Sequence, residues 1–467
     1  MLFNSYIFIL VFLPIVIMLY FGMNRLKKFT LAKWILIVSS VMFLGYYSFK
    51  CAIVLAVSII INFLINQRLA KQNGKTKKVW LAIGIIINVL FLGFFKYANF
   101  FAENIIMPLG ISFYTFQQIA YMVDSYRGEV EECSFVDYLL FVSYFPKLIQ
   151  GPIAYHNELL PQFQDEKKKH LDFGNFARGI TLFSQGLFKK VLLADNFGKI
   201  VDYGYSSITN LNSFEAILVI IGYTLQIYFD FSGYCDMAMG VSNMLNIELP
   251  WNFNSPYKAK NISEFWKCWH MTLTRFLTKY IYIPLGGNRK GTMRMYINII
   301  IVYLVSGLWH GAGYTFIVWG VLHGLATVLY RMFKKTYDKI PSFIQWGMTF
   351  AFVNVSWIFF RAPNVTDAFA IMKQVLTGGW RFAINAELTE TLLQPTLISV
   401  PCQFLPIQVV VICAVIIAIL ACVFLKNNLE RIQTFKPTLK WMLVTYMMLV
   451  IGILSLSGVS TFLYTNF

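Results

Sequence analysis

His310 lies inside a hydrophobic stretch, where a titratable side chain is costly. It ends the sequence Leu304-Val-Ser-Gly-Leu-Trp-His310, directly after an apolar run that begins at Met295. An imidazole at membrane depth is unfavourable unless it faces the protein interior or a water-filled cavity, so a titratable group there is a candidate functional site. Burial favours the neutral ring, which can accept a proton. The position predicts acid–base chemistry inside a membrane.

A second histidine, His270, lies in the most unusual part of the sequence, residues 250–290. Asn261 followed by Glu264 is typical of a capping box and predicts the start of a helix. Apolar residues then recur at helical spacing, at 262, 265, 266, 269, 273, 276, 277 and 280, which predicts one amphipathic helix ended by the turn Pro284–Asn288. Such a helix lies in the membrane interface or lines a cavity. Its polar face would carry Ser263, Lys267, His270, Thr274 and Thr278.

The chain is too apolar for a soluble fold. Its 467 residues are 58% hydrophobic and only 13% charged, which indicates an integral membrane protein. We expect residues 138–153 and 176–194, which are short or amphipathic, to be re-entrant. The predicted fold class is an all-α polytopic membrane protein with re-entrant and interfacial helices, in a single domain over residues 1–467. Stretches of spanning length indicate about ten helices and are clearest at 5–22, 33–48, 79–95, 314–330, 343–360, 403–425 and 441–463.

Basic residues predict the orientation in the membrane. The first apolar run, Tyr6–Gly22, has no basic residue before it and no cleavage pattern after it, which predicts a retained helix with the N-terminus outside. The basic loops at 25–28, 68–78, 331–339 and 426–440 would then all be cytoplasmic. The C-terminus would also lie outside. These loops and their contact with anionic lipid account for the net charge of +17, so we expect no nucleic-acid partner.

The serine, cysteine, aspartate and remaining histidine residues do not indicate a second catalytic or metal site. The sequence contains no Gly-x-Ser-x-Gly and no His-Glu-x-x-His, and no cysteine pair has metal-ligand spacing, which disfavours a serine hydrolase and a zinc site. On a helix Cys268 would point about 200° away from His270, a poor geometry for a Cys–His pair. We expect Asp230 and Asp236 to form structural ion pairs with Arg275 or Lys147, His323 to be structural, and His156 and His170 to be solvated.

Six short motifs in order resemble the membrane-bound O-acyltransferase family, and more narrowly its branch of alginate O-acetyltransferase membrane subunits. The core that carries them covers residues 100–330, whereas the first and last hundred residues resemble the family only in hydropathy. A helical bundle around a central tunnel is the fold that this resemblance implies. The motifs are Pro108–Tyr121, Phe145–Ile153, Tyr228–Gly240, Trp269-His270, Tyr282–Asn288 and Leu308–Gly311.

The resemblance implies acyl transfer from a thioester donor, acetyl-coenzyme A on the cytoplasmic side, to hydroxyls of an extracytoplasmic polysaccharide. His310 would act as the general base, and His270 would act in catalysis or in positioning. Lys267, Arg275 and Arg289 would bind the donor phosphates, although interfacial snorkelling explains these cations about as well. No bound cofactor is expected. The branch also implies a bacterial inner or plasma membrane and an extracytoplasmic partner of the serine-esterase-like (SGNH) type that completes the transfer.

Two alternatives remain open. A polysaccharide or lipid transporter would also have many helices and intramembrane polar groups, but transporters commonly contain internal repeats, and the sequence has no such duplication. The second alternative is transfer of D-alanine to teichoic acid, the reaction of other members of the family. The motif at 108–121 is more similar to the alginate branch, which favours acetyl transfer.

Overall fold

The computed structural model describes residues 1–97, 107–131, 133–393, 401–456 and 460–463. Within these ranges every regular element is a helix, which confirms the predicted all-α fold class. The chain forms two compact units. The first contains residues 1–187, 234–251 and the C-terminal segment from Thr434, and the second contains residues 188–233 and 252–433. The prediction of a single domain stays a prediction.

The α-helices are numbered in chain order. They are α1 (Leu13–Arg25), α2 (Phe29–Gly45), α3 (Phe49–Ala70), α4 (Gly74–Tyr97), α5 (Ile111–Arg127), α6 (Phe135–Ser143), α7 (Phe145–Leu148), α8 (His156–Gln164), α9 (Phe173–Phe188), α10 (Asp195–Ser206), α11 (Ser213–Met244), α12 (Ile262–Cys268), α13 (Met271–Leu277), α14 (Thr292–His310), α15 (Tyr314–Met332), α16 (Lys334–Tyr337), α17 (Ser342–Arg361), α18 (Val365–Thr377), α19 (Ala386–Leu393), α20 (Ile407–Phe424), α21 (Asn428–Gln433) and α22 (Leu439–Leu454). Short π-helical segments cover Phe8–Phe12, Lys189–Ala194 and Thr278–Tyr282, and 3₁₀ turns cover Glu166–Lys169, Ile208–Asn210, Pro256–Lys258 and Pro401–Gln403.

Eight helices of the described chain are long and apolar enough to cross a membrane, and α2 and α22 are shorter apolar helices. The protein is therefore a multi-pass membrane protein, close to the predicted ten helices. The clearest stretches named from the sequence do not include α3, α11 or α14; in α11, which has 32 residues, charged and small residues interrupt the apolar run. The predicted stretch 441–463 ends as a helix at Leu454, and its residues 457–459 lie outside the described ranges.

His156 in the first unit corrects the expectation of a solvated side chain. It is buried, and its Nε2 lies 3.3 Å from Oδ2 of the fully buried Asp124 on α5. Nη1 of Arg127 lies 3.8 Å from Oδ1 of the same carboxylate. A buried carboxylate is costly without partners, so this side-chain pair ties the start of α8 to α5. His170, by contrast, is exposed as expected.

In the second unit, α14 and α15 form a hairpin with very close backbones. A Cβ built on Gly307 would lie 2.4 Å from the carbonyl oxygen of Phe316, and one on Gly320 would lie 2.6 Å from that of Tyr303. Small residues of this kind allow helices in a membrane to pack backbone against backbone. Because His310 ends α14, this packing fixes the position of the His310 backbone relative to α15.

We predict that Gly320→Ala weakens this hairpin. The new methyl group would meet the Tyr303 carbonyl oxygen, and such overpacking costs about 1–3 kcal/mol. Thermal unfolding of the purified protein in detergent should therefore show a clearly lower Tm. Gly347→Ala on α17 is the matched control, because nothing lies within 4 Å of its Cβ position. Equal Tm values for the two variants would contradict the close packing.

Candidate functional site

His310 is buried in the second unit, at the C-terminal end of α14. Only 3% of its surface is exposed. Its ring packs against three aromatic rings, with centroid distances of 4.7 Å to Trp309, 5.2 Å to Trp319 and 5.0 Å to Phe360. The side chain therefore faces the protein interior rather than lipid, as an imidazole at membrane depth requires.

His270 does not lie on a continuous amphipathic helix, which corrects the sequence prediction. The helix breaks after Cys268, and α13 starts at Met271. At the break His270 adopts φ 43° and ψ 52°, the left-handed region that non-glycine residues rarely occupy. Backbone strain of this kind costs about 1–3 kcal/mol and is concentrated at functional sites. The predicted start of the helix is confirmed, because the Asn261 side chain accepts a hydrogen bond from the Glu264 amide.

The break removes His270 from the predicted polar face. Its side chain is 1% exposed, and its ring centroid lies 4.8 Å from Phe231 and 6.0 Å from Trp309. The indole of Trp309 thus contacts both His270 and His310. Two histidines that are forty residues apart in the chain belong to one aromatic cluster. Sequence reasoning identified both of them but gave no reason for them to meet.

Asn252 makes several contacts with the break. Its main-chain oxygen accepts the Met271 N–H at 2.9 Å, and its Oδ1 accepts the Thr272 N–H at 3.2 Å. The Thr272 hydroxyl donates to the same Oδ1 at 2.6 Å, and the His270 Nδ1 lies 3.3 Å from it. The first N–H groups of a helix have no partner within the helix, so Asn252 supplies the acceptors that α13 lacks. Sequence reasoning did not identify Asn252.

Burial determines the charge of His270. Loss of hydration lowers the pKa of its imidazole well below the ordinary value of 6.5. The ring is therefore neutral at physiological pH. A neutral imidazole has one nitrogen that donates and one that accepts a hydrogen bond, so it can hold or take a proton from a hydroxyl.

A cavity of about 280 Å³ is lined by the helices next to the two histidines, although neither imidazole contributes to its lining. Ser306, one helical turn before His310, contributes to its wall. Leu273 and Thr274, which follow His270, contribute as well. The exposed rim carries two cations, Lys267 and Arg331. The complete lining is Ser263, Trp266, Lys267, Leu273, Thr274, Leu277, Thr278, Tyr282, Ile299, Val302, Tyr303, Ser306, Thr327 and Arg331.

The lining agrees with most of the predicted polar face. Ser263, Lys267, Thr274 and Thr278 all line the cavity, and only His270 is missing from it. Of the three cations predicted to bind a donor, the structure thus places Lys267 at the cavity. Arg275 on α13 is half-buried and Arg289 is exposed in the turn before α14, and neither lines the cavity. Arg331 was missed, because a basic residue at the end of an apolar helix is normally an orientation signal.

Asp230 forms a buried ion pair with a residue that the sequence did not suggest. Its Oδ1 lies 2.7 Å from Nζ of Lys190, which also lies 2.9 Å from Oδ1 of Asp195. The structural ion pair expected for Asp230 is therefore present, but with Lys190 where the sequence suggests Arg275 or Lys147. In the first unit, Lys147 instead donates to Oε1 of Gln117 at 2.6 Å. The Lys190 pair fixes the part of α11 whose next residue, Phe231, packs on His270.

His323 is surrounded by aromatic rings and has a hydrogen-bond partner. It is fully buried on α15, and its Nδ1 accepts the indole N–H of Trp266 at 3.2 Å. Because Trp266 lines the cavity, this bond supports the cavity wall. The contacts agree with the structural role expected from the sequence.

We predict that His270 makes the stability of the folded chain depend on pH. Below pH 6.5 the unfolded chain binds a proton at this residue, whereas the folded chain does not, so stability falls as the pH falls. The slope attributable to this group is at most about 1.4 kcal/mol per pH unit. Thermal unfolding between pH 7.5 and 5.5 should show a shallower loss for His270→Asn than for the native chain. His170→Asn, at an exposed histidine, should keep the native slope, and a native slope in His270→Asn would contradict the assignment.

Comparisons with known proteins agree with this geometry. The family described as MBOAT, membrane-bound O-acyltransferase, matches residues 80–366. A peptidoglycan O-acetyltransferase of Helicobacter pylori is 39% identical over 100% of this chain and 98% of its own length. A probable alginate O-acetylase of Pseudomonas aeruginosa is 34% identical over 82% of this chain and 76% of its own. A teichoic acid D-alanyltransferase of Bacillus subtilis is 28% identical over 51% of this chain and 64% of its own.

The family match covers most of the chain, including both histidines and the whole cavity lining. It confirms the resemblance drawn from the six sequence motifs. It also agrees with the helical, membrane-spanning architecture. The chain belongs to the membrane-bound O-acyltransferase family and is an O-acyltransferase.

Proposed function

We propose that this protein transfers an acetyl group from acetyl-coenzyme A, taken from the cytoplasmic side of a bacterial cell membrane, to hydroxyls of a cell-surface polysaccharide. The observation that carries the proposal is the contact of two buried histidines with one indole, on helices that also line a mainly apolar cavity. Such an arrangement provides a base for a hydroxyl and space for an acyl donor.

The cavity suits the thioester arm of coenzyme A. Its wall is mainly apolar, and its volume is near the lower end for small-molecule sites. Lys267 and Arg331 at the exposed rim would bind phosphate groups through charge-assisted hydrogen bonds. Arg275 and Arg289 remain candidates to bind those parts of the donor that extend beyond the rim of the cavity. No cofactor besides the donor is proposed.

In the proposed reaction the acceptor hydroxyl attacks the carbonyl carbon of the thioester. His310 takes the hydroxyl proton as the new C–O bond forms, because an alcohol is a poor nucleophile at neutral pH. The C–S bond then breaks, and the proton passes from His310 to the leaving thiolate. An ester and a free thiol result, with no net change in protons. His270 would hold the reactants by hydrogen bonding.

Relatives support a polysaccharide as the acceptor. One named relative acts on peptidoglycan and another on alginate, and both are similar to this chain over most of its length. The relative that transfers D-alanine to teichoic acid is similar over only about half of the chain. We therefore favour acetyl over D-alanyl transfer.

We also propose that an extracytoplasmic enzyme of the serine-esterase type completes the transfer. The cavity of about 280 Å³ is mainly apolar, and this size suits a small donor better than a polymer. The first acceptor would then be a hydroxyl of the partner. Reconstitution with acetyl-coenzyme A and polysaccharide alone tests this step, because efficient transfer without the partner would contradict it.

We predict that His310→Ala abolishes the acetyl esters of the cell-surface polysaccharide. Loss of a general base reduces a rate by about 10²–10⁴-fold. Mass spectrometry should compare the native chain, His310→Ala and the exposed-histidine control His170→Ala at equal abundance in the membrane. If esters persist at the native level in His310→Ala, His310 is not the general base and its catalytic assignment is wrong.

We predict that Lys267→Gln and Arg331→Gln raise the KM for acetyl-coenzyme A by about tenfold each, which corresponds to about 1.4 kcal/mol, with little change in kcat. The removed charges would contact donor phosphates that do not react. Steady-state kinetics in proteoliposomes measures both constants. The control is Lys335→Gln, an exposed cation that does not line the cavity. An equal effect of all three substitutions would assign the change to general surface charge.

A further inference from the structure

The segment that begins at Asn252 pairs with the backbone at the break between α12 and α13. The Asn254 N–H donates to the Cys268 carbonyl at 2.9 Å, and the Met271 N–H donates to the Asn252 carbonyl at 2.9 Å. These two bonds hold the backbone on both sides of His270. They explain why an amphipathic pattern that favours one helix gives two.

The orientation of the Asn252 amide follows from its contacts. The Thr272 backbone N–H lies 3.2 Å from Oδ1 and can only donate, so the atom that faces it must be the amide oxygen. The Thr272 hydroxyl donates to the same oxygen at 2.6 Å. An exchange of the amide oxygen and nitrogen would place N–H against N–H. The acceptor beside His270 is therefore fixed by a backbone group.

We propose that Asn252 is a positioning residue that sets the tautomer of His270. The Nδ1 of His270 lies 3.3 Å from Oδ1, which has no hydrogen to give. In a neutral ring, Nδ1 therefore carries the proton and Nε2 carries the lone pair. Asn252 also restrains the left-handed backbone of His270, since its main-chain carbonyl accepts the Met271 N–H and its side-chain oxygen accepts the Thr272 N–H.

The consequence for the reaction depends on the proposed function, whereas the tautomer does not. With its lone pair on Nε2, His270 accepts a hydrogen bond from a hydroxyl on the side of the ring remote from Asn252. The other tautomer would present an N–H there and could not accept this hydrogen bond. Loss of Asn252 should therefore reduce kcat more than it changes the KM for the acyl donor.

Nitrogen-15 spectroscopy tests the tautomer directly, because the chain contains only five histidines. The protein labelled with ¹⁵N-histidine should be measured in lipid bilayers, and His270→Asn identifies the signals of residue 270. The native chain should show a protonated Nδ1 and an unprotonated Nε2. Asn252→Ala should move the population toward the Nε2-protonated form, and Asn252→Asp, which retains the acceptor oxygen, should keep the native pattern.

Asn254→Ala is the matched control, because its side chain accepts a hydrogen bond from Asn427 instead and its backbone bond to Cys268 is unaffected. It should leave the His270 signals unchanged. A native spectrum with protonated Nε2, or an Asn252→Ala spectrum identical to the native one, would overturn the proposal. The native spectrum gives an answer even if Asn252→Ala does not fold.

Kinetics separate this inference from the proposed function. Asn252→Ala should lower the kcat for acetyl transfer by about 10²-fold, the scale of loss expected from a misplaced group. Asn252→Asp should restore much of this rate and move the pH profile, because a carboxylate stabilises the protonated imidazole. If the native spectrum shows the expected tautomer but the purified protein transfers no acetyl group, the proposed function fails and the assignment of Asn252 stands. A native kcat in Asn252→Ala would overturn the positioning role.

Discussion

The candidate site depends on one constraint, namely that an imidazole loses its hydration on burial and then relies on the protein for polar partners. Loss of hydration favours the neutral ring, and aromatic neighbours provide dispersion contacts without adding charge. His270 obtains its hydrogen-bond acceptor from Asn252, and His323 accepts the indole N–H of Trp266. Trp309 connects His270 to His310. In such a site a ring nitrogen that carries a lone pair can accept a proton during a reaction.

Local sequence patterns predicted the features that depend on neighbouring residues. The run of apolar residues before His310 indicated a helix that ends at this position, and Asn261 with Glu264 indicated a helix start. Contacts distant in the chain could not be predicted in this way. Asn252 lies 18 residues before His270 and Lys190 lies 40 residues before Asp230. No local periodicity contains the information that an extended segment breaks one helix or that His156 is buried against Asp124.

The cavity likewise combines features that neighbouring residues predict with contacts that are distant in the chain. Helical spacing correctly grouped Ser263, Lys267, Thr274 and Thr278, because their mutual positions are set by the helices that carry them. The opposite wall comes from α14 and α15, whose approach requires glycine at 307 and 320. Arg331 reaches the rim only as a result of that approach. Donor binding and acid–base chemistry in this account therefore depend on the same helix hairpin.

The central claim is that His270 and His310 act in one step of acetyl transfer. A double-mutant cycle tests it most directly, with kcat measured for the native chain, His270→Asn, His310→Ala and the double variant. Residues that act as a unit have strongly non-additive effects, so the double variant should be no slower than the slower single variant. If the two losses multiply, the histidines act independently, and the account of a shared site around Trp309 is wrong.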